Sequence, residues 1–138
     1  MIREFKLDDL EKIKLNDFGD GNLVNKFKPV LGMYEGWTLE KEGVIKAILF
    51  YRNYAEKNYE GFLVCSIFMN AFDGQDIKDF IYQLIKRLEI KRIETLSLDC
   101  EEINRWHQFL GFACEGTKIN FLKGKNYRMW AIIRPQEA

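Results

Sequence analysis

Near neutral pH the side chains best able to move a proton or form a bond are histidine, cysteine and the acids, and this chain is sparing with the first two. His107 is the only histidine, and Cys65, Cys100 and Cys114 lie far apart with no CxxC pair. That set offers no zinc site, so no metal is expected, and each cysteine reads as a small buried apolar residue in a reducing compartment. Cys65 and Ser66 lack a second histidine to activate them and a fixed acid partner, which argues against a nucleophilic triad. The acids are placed more pointedly. In "NAFDGQDIKDFIYQLIK", Asn70 to Lys86, the chain leaves an apolar strand-like run and turns into a helix. An anion-binding turn at such a place would carry glycines and a cation. This one carries Asp73 and Asp76.

Composition narrows the partners. Apolar residues make up 47% and aromatics 14% of the 138 residues, enough for one domain spanning 1–138 with a well-filled core. Lys plus Arg equals Asp plus Glu, 21 each, so no bulk field draws the protein to nucleic acid or to an anionic membrane. The basic residues in "KIKLN", "IKRLEIKR" and "KGKNYR" are interleaved with acids and apolars and read as solvated faces. "MIREFKLDDL" has no signal-peptide layout and no apolar run reaches membrane length, which makes a cytoplasmic protein the expectation.

The elements that must position these residues follow from periodicity and punctuation. Asp8-x-x-Glu11, Asp73-x-x-Asp76 and Asp99-x-x-Glu102 each resemble a capping box that opens a helix. Ile77, Phe80, Ile81, Leu84, Ile85 and Leu88 then recur at helical spacing. Ile103, Trp106, His107 and Leu110 share a face, and Gly111 is a stop. A weaker helix runs from about Asp9 to Asp17 with Leu10 and Ile13 inward, and "FGDGN" after it reads as a loop. Strands are expected at "IREF", "GWTLE", "VIKAILFYR", "GFLVCSIF", "RIETLSLD", "ACEGTKINFL" and "YRMWAIIR". Lys41-Glu42-Gly43 and "KGKN" are hairpin turns, and the two prolines, Pro29 and Pro135, lie outside the patterned regions. The order β-α-loop-βββ-α-β-α-ββ predicts an α/β fold: a mixed central sheet of about seven strands with helices on both faces. Gly61 to Asp99 should form a right-handed parallel crossover.

That order resembles the GNAT (N-acetyltransferase) family over nearly the whole chain. The most specific local match is "RWHQFLGFACEG", Arg105 to Gly116, which looks like the family's helix-to-strand signature around Leu110-Gly111-Phe112. "IREFKLDDLEKI" resembles the family's first strand and helix, and the run Gly111 to Arg134 looks like small phage-type members.

The resemblance implies acetyl-CoA as cofactor, bound at the end of the central strand and the start of the following helix. The backbone of Ser66, Ile67 and Phe68 would pair with the pantetheine arm. Aligned on the helix, the family's Arg/Gln-x-x-Gly-x-Gly/Ala pattern falls on Asp73, Gly74, Gln75, Asp76, Ile77 and Lys78, where only the variable position, Ile77, agrees. One carboxylate about 6 Å from a phosphate at an effective dielectric near 20 costs roughly 3 kcal/mol. The turn therefore reads as built to cap a helix. In the family a tyrosine on the last helix protonates the leaving thiolate, and the matching position is His107; the same residue, between Ile103 and Leu110, also suits a packed core. Glu60 and Asp99 are the candidate bases, although Asp99 equally suits an N-cap and Glu60 a solvated strand end. The family's frequent asparagine before the last helix is Cys100. Two functions follow: transfer of an acetyl group to an amine of a small molecule or peptide, or a catalytically inactive GNAT-like module for protein interaction, with an exposed patch involving Trp37, Phe121 or Trp130.

Overall fold

The computed structural model describes residues 1–134. Its elements are β1 (Ile2–Glu4), α1 (Asp9–Lys12), α2 (Asp20–Phe27), a 3-10 segment (Lys28–Met33), β2 (Glu35–Lys41), β3 (Val44–Ala55), β4 (Asn58–Cys65), α3 (Ala71–Arg87), β5 (Arg92–Leu98), α4 (Glu101–Leu110), β6 (Ala113–Leu122) and β7 (Lys125–Ile133). Pro135 lies outside the described residues. The strands form one seven-stranded sheet in the order β1-β2-β3-β4-β5-β7-β6. β4 and β5 are its parallel pair; the other pairings are antiparallel.

Alternation along β3 shows why both faces need cover. Ala47, Leu49 and Tyr51 join the core under α3 and α4, where Ile77, Ile81, Leu84 and Leu110 pack. Ile48 and Phe50 point the other way, into a core closed by Leu10, Ile13, Val24, Phe27 and Leu31. The hairpins fall where expected: Glu42 and Gly43 (φ 52° and 78°) join β2 to β3, and Lys123 and Gly124 (φ 51° and 71°) join β6 to β7. Gly111, at φ 99°, ends α4.

The helix starts depart from expectation. Asp8 makes no side-chain cap, and α1 stops at Lys12 instead of reaching Asp17. The stretch expected as a loop begins a second helix, with Gly19 at φ 87° as its N-cap. The capping box of α3 sits three residues earlier than its spelling suggested: Asn70 is the N-cap and Asp73 its reciprocal partner, each side chain accepting the other's backbone N–H at 3.0 Å. Asn70 prevails because an N-cap needs only a short polar side chain, and this choice leaves the apolar stripe facing the sheet. Cys100, without a side-chain cap, precedes α4, so Asp99 is not the N-cap. Trp130 is only 1% exposed and does not belong to a surface patch; the exposed aromatic residues include Phe68 and Phe72.

Candidate active site

The sheet opens between β4 and β5. Their pairing covers Asn58↔Arg92, Tyr59↔Ile93 and Glu60↔Glu94 and then stops. Each strand continues with its other neighbour: β4 follows β3 to Ala47↔Cys65, and β5 follows β7 to Leu98↔Tyr127. The facing edges therefore diverge, and backbone groups there must find partners other than a ladder. Three cavities line up along the gap. A mouth of about 390 Å³ includes Asp20, Leu63, Cys65, Leu96, Ser97 and His107. A narrow space of about 20 Å³ shares Leu63 and His107 with it. A cleft of about 520 Å³ takes up Gly61, Glu94 and Thr95 and adds Phe27, Tyr34 and Glu60.

The far end of β4 is partly occupied by the chain itself. Ile67 N–H donates to Lys14 O at 2.9 Å, and Asn16 donates to Cys65 O from both its backbone N (3.3 Å) and its Nδ2 (3.1 Å). Cys65 N–H donates to Asp20 Oδ2 at 2.7 Å, and Asn16 Nδ2 donates to the same oxygen at 3.1 Å. Ser66 N–H turns the other way, to Lys46 O. Strand alternation then puts Leu63 N–H on the same edge as Cys65 N–H, facing the gap. Phe68 N–H closes a turn on Ser66 Oγ. The amides of Ser66, Ile67 and Phe68, expected for a pantetheine arm, are thus already bonded. β4 ends at Cys65, so the available edge lies nearer Leu63.

Of the three expected catalytic residues, two reach the gap. His107 is 5% exposed and stacks on Trp130 at 5.4 Å between centroids. Burial pulls its pKa down to about 4, only partly offset by the bond to Ile103 O. The ring is neutral at pH 7, its Nδ1–H bonds Ile103 O at 2.9 Å, and Nε2 has no protein partner among the described residues. In that tautomer Nε2 offers a hydrogen-bond acceptor to the gap. Glu60 lies in the cleft, where Oε1 accepts from Arg52 Nε at 2.5 Å and from Tyr34 OH at 3.3 Å. Burial and the Glu60 charge raise the Tyr34 pKa. Asp99 stays outside the lining: Arg128 Nε lies 2.8 Å from its Oδ1, and Asn104 Nδ2 donates to that atom at 3.0 Å.

Asp20 is the group that sequence reasoning missed. Burial raises its carboxyl to about 6, although Cys65 N–H and Asn16 pull the other way. The available signal was an acid between glycines in "FGDGN", which was read as loop chemistry. Its burial depends on Cys65, 45 positions away.

No family model matches the chain, and no curated protein matches it in sequence. Solved structures match it across nearly its whole length. An acetyltransferase of Bacillus subtilis in complex with CoA superposes with a TM-score of 0.72 at 14% identity, covering 97% of this chain and 98% of that one. A GNAT-family acetyltransferase from Streptococcus pneumoniae gives 0.71 at 16% identity, covering 96% and 98%. A spermidine/spermine N-acetyltransferase from Vibrio cholerae, solved with manganese ions, gives 0.69 at 14%, covering 96% and 91%. The chain has the GNAT fold.

Within the GNAT fold, the start of α3 bears on how a CoA diphosphate would be held. The stretch Asp73–Lys78 is no turn but the first two turns of the helix. Gly74 is buried where a Cβ would come within 3.0 Å of Trp106, so it serves helix packing. Ile77 is 3% exposed and belongs to the core. Gln75 bonds Asp79, and Lys78 lies 4.8 Å over the Phe109 ring. Nor are the carboxylates a bare negative field. Lys41 Nζ lies 2.7 Å from Asp73 and 2.7 Å from Asp76, and Lys46 Nζ is 3.4 Å from Asp73. Asp73 is held below its usual carboxylate range against burial, first by Lys41 and then by Asn70 N–H. These pairs oppose the repulsion expected from the sequence. Helix geometry leaves the amides of Ala71 and Phe72 without intrahelical acceptors. Two open amides beside neutralised charge fit a phosphate, and the gap and mouth fit a thioester arm.

Proposed function

We propose that the protein is an acyl-CoA-dependent N-acyltransferase that acetylates an amine. The gap between β4 and β5, open to both sides of the sheet, carries this reading. The α3 and α4 side, with the amides of Ala71 and Phe72, takes the CoA ester; the side of α2, through the cleft with Phe27, Tyr34 and Glu60, takes the amine. Bound acetyl-CoA supplies an acyl carbon with a thiolate as leaving group. Leu63 N–H is the donor for charge that develops on the acyl oxygen. The narrow apolar space between mouth and cleft, lined by Leu49, Phe62 and Ile81, excludes water from the reacting atoms. His107 stays neutral and accepts a hydrogen bond through Nε2. Asp99 takes no part, and Glu60 orients the acceptor from its pair with Arg52.

The test is a thermal melt with acetyl-CoA, followed by thiol release with a panel of amines. At ten times Kd the cofactor stabilises by about 1.4 kcal/mol, a shift of a few degrees for a chain this size. No shift near millimolar acetyl-CoA, with no thiol release, removes the reading.

A second reading, an inactive GNAT-fold module for protein interaction, is favoured by two observations. Lys14, Asn16 and Asp20 already bond the end of β4, and Ile67, Phe68 and Phe72 are exposed beside it (56%, 50% and 80%). Native mass spectrometry separates the two readings, because co-purified CoA supports the first and a stable complex without CoA the second.

A further inference from the structure

Asp20 is a carboxylate that the fold hides, holds by one oxygen and leaves unpartnered at the other. Both donors, Cys65 N–H and Asn16 Nδ2, reach Oδ2. Oδ1 has no hydrogen-bond partner among the described residues, although the residue is only 6% exposed and lines the mouth of the gap. Oδ1 is not one of the fully buried side-chain atoms that lack a partner, so it is open to the mouth that Asp20 lines. Fixing one oxygen while aiming the other at a cavity is what a proton acceptor requires.

From this geometry we propose that Asp20 is the general base that takes the proton from the acceptor's ammonium group. The proposal rests on the acyl-transfer reading. Asp20 lines the mouth beside Leu63 and begins α2, the helix whose Phe27 lines the amine cleft, and Cys65 ties it to the strand that carries Leu63. Glu60, the rival, is also held by one oxygen, since Arg52 Nε and Tyr34 OH both reach Oε1. Its side chain, however, is about a third exposed and lies against a guanidinium, whereas Asp20 is buried and has no cation among its hydrogen-bond partners. The balance is simple: the acyl carbon gains a C–N bond and loses its C–S bond. Of the two protons the ammonium gives up, one goes to Asp20 Oδ1 and the other to the departing thiolate. With its carboxyl raised to about 6, Asp20 is ionised at pH 7 yet basic enough to serve. The other ionisable groups lining the mouth are Asp17 beside it, Glu102 and His107 on α4, and Cys65 on β4. His107 is neutral there, and burial together with the Asp20 charge keeps the Cys65 thiol protonated.

The experiment measures kcat/KM by thiol release from pH 5 to 9 for the parent, Asp20→Asn, Glu60→Gln and Asn16→Ala. The first reactive amine of the panel is the acceptor, and an acetyl-CoA melting shift is recorded for each protein. Asp20→Asn should lose about 100-fold or more, keep its melting shift and lose the activity limb near pH 6. Glu60→Gln should retain that limb. Asn16→Ala, lacking one donor to Oδ2, should move it to higher pH, an effect that a structural role for Asp20 would not produce. The proposal is overturned if the limb persists in Asp20→Asn, if it vanishes in Glu60→Gln, or if Asp20→Asn fails to fold. Absence of thiol release from the parent with every amine removes the acyl-transfer reading itself, and the base with it.

Discussion

If Asp20 is kept ionised for chemistry at the expense of stability, relieving its charge should stabilise the fold. The carboxyl titrates near 6 in the folded protein, against a reference value of 3.8. Between those values the folded state binds more protons than the unfolded chain, so this group's contribution falls as pH rises through 6. At about 1.4 kcal/mol per pH unit, the gap makes Asp20 a liability of about 3 kcal/mol above pH 7. It causes none below pH 3.8. The side-chain amide of the Asp20→Asn variant would keep an acceptor for Cys65 N–H and shed the charge. Urea unfolding of parent and variant at pH 8, 6 and 4 should therefore show the variant more stable by up to about 3 kcal/mol at pH 8. That advantage should shrink at pH 6 and vanish near pH 4. A variant less stable than the parent at pH 8 would refute the reasoning, since Asp20 would then be an acid that the fold needs charged.

His107 makes the opposite prediction for acid. Its pKa falls from 6.5 unfolded to about 4 folded, so the unfolded chain binds the extra proton in between. Its contribution, about 3 kcal/mol, is full above pH 6.5 and lost as pH drops towards 4; His107→Gln should flatten that part of the pH–stability curve measured by urea midpoint. Asp9 is held at about 2 by Arg3, Lys6 N–H and Thr38 against burial. Asp9→Asn should lose about 2 kcal/mol at pH 7, with the difference from the parent fading below pH 3.8 as the parent's own carboxylate becomes protonated. Gly61→Ala should cost about 3 kcal/mol or more, because the new Cβ would lie 2.1 Å from Phe50 O between β3 and β4; loss of soluble, cooperatively melting protein is the readout. Lys41→Ala should destabilise the start of α3, seen as faster amide exchange at Asp73 and Gly74, since Lys41 bridges the buried Asp73 and Asp76.

Much of the architecture was legible because local chemistry repeats with the period of its element. The stripe Ile77, Ile81 and Leu84 could face a core only from a helix, and Glu42-Gly43 could adopt its two positive φ values only in a tight hairpin. Helix starts were harder. Asn70 and Asp73 both qualify as caps in the spelling, and the choice rests on where the apolar stripe meets the sheet. Asp20 was illegible for the same reason, since its partner Cys65 belongs to another element.

The sequence by itself determined the order of the strands and of the helices other than α2, the hairpins, the two covered faces and the resemblance that led to the fold, because each depends on neighbours within a few residues. Tertiary structure alone decided the opening of the sheet and the ionisation and pairing of the groups around it. It parted β4 from β5 after Glu60, made His107 neutral, tied Asp73 to two lysines and buried Asp20 with one free oxygen. Protonation and ion pairing follow from burial and from groups distant in the chain, and those distances exist only once the sheet has closed around them.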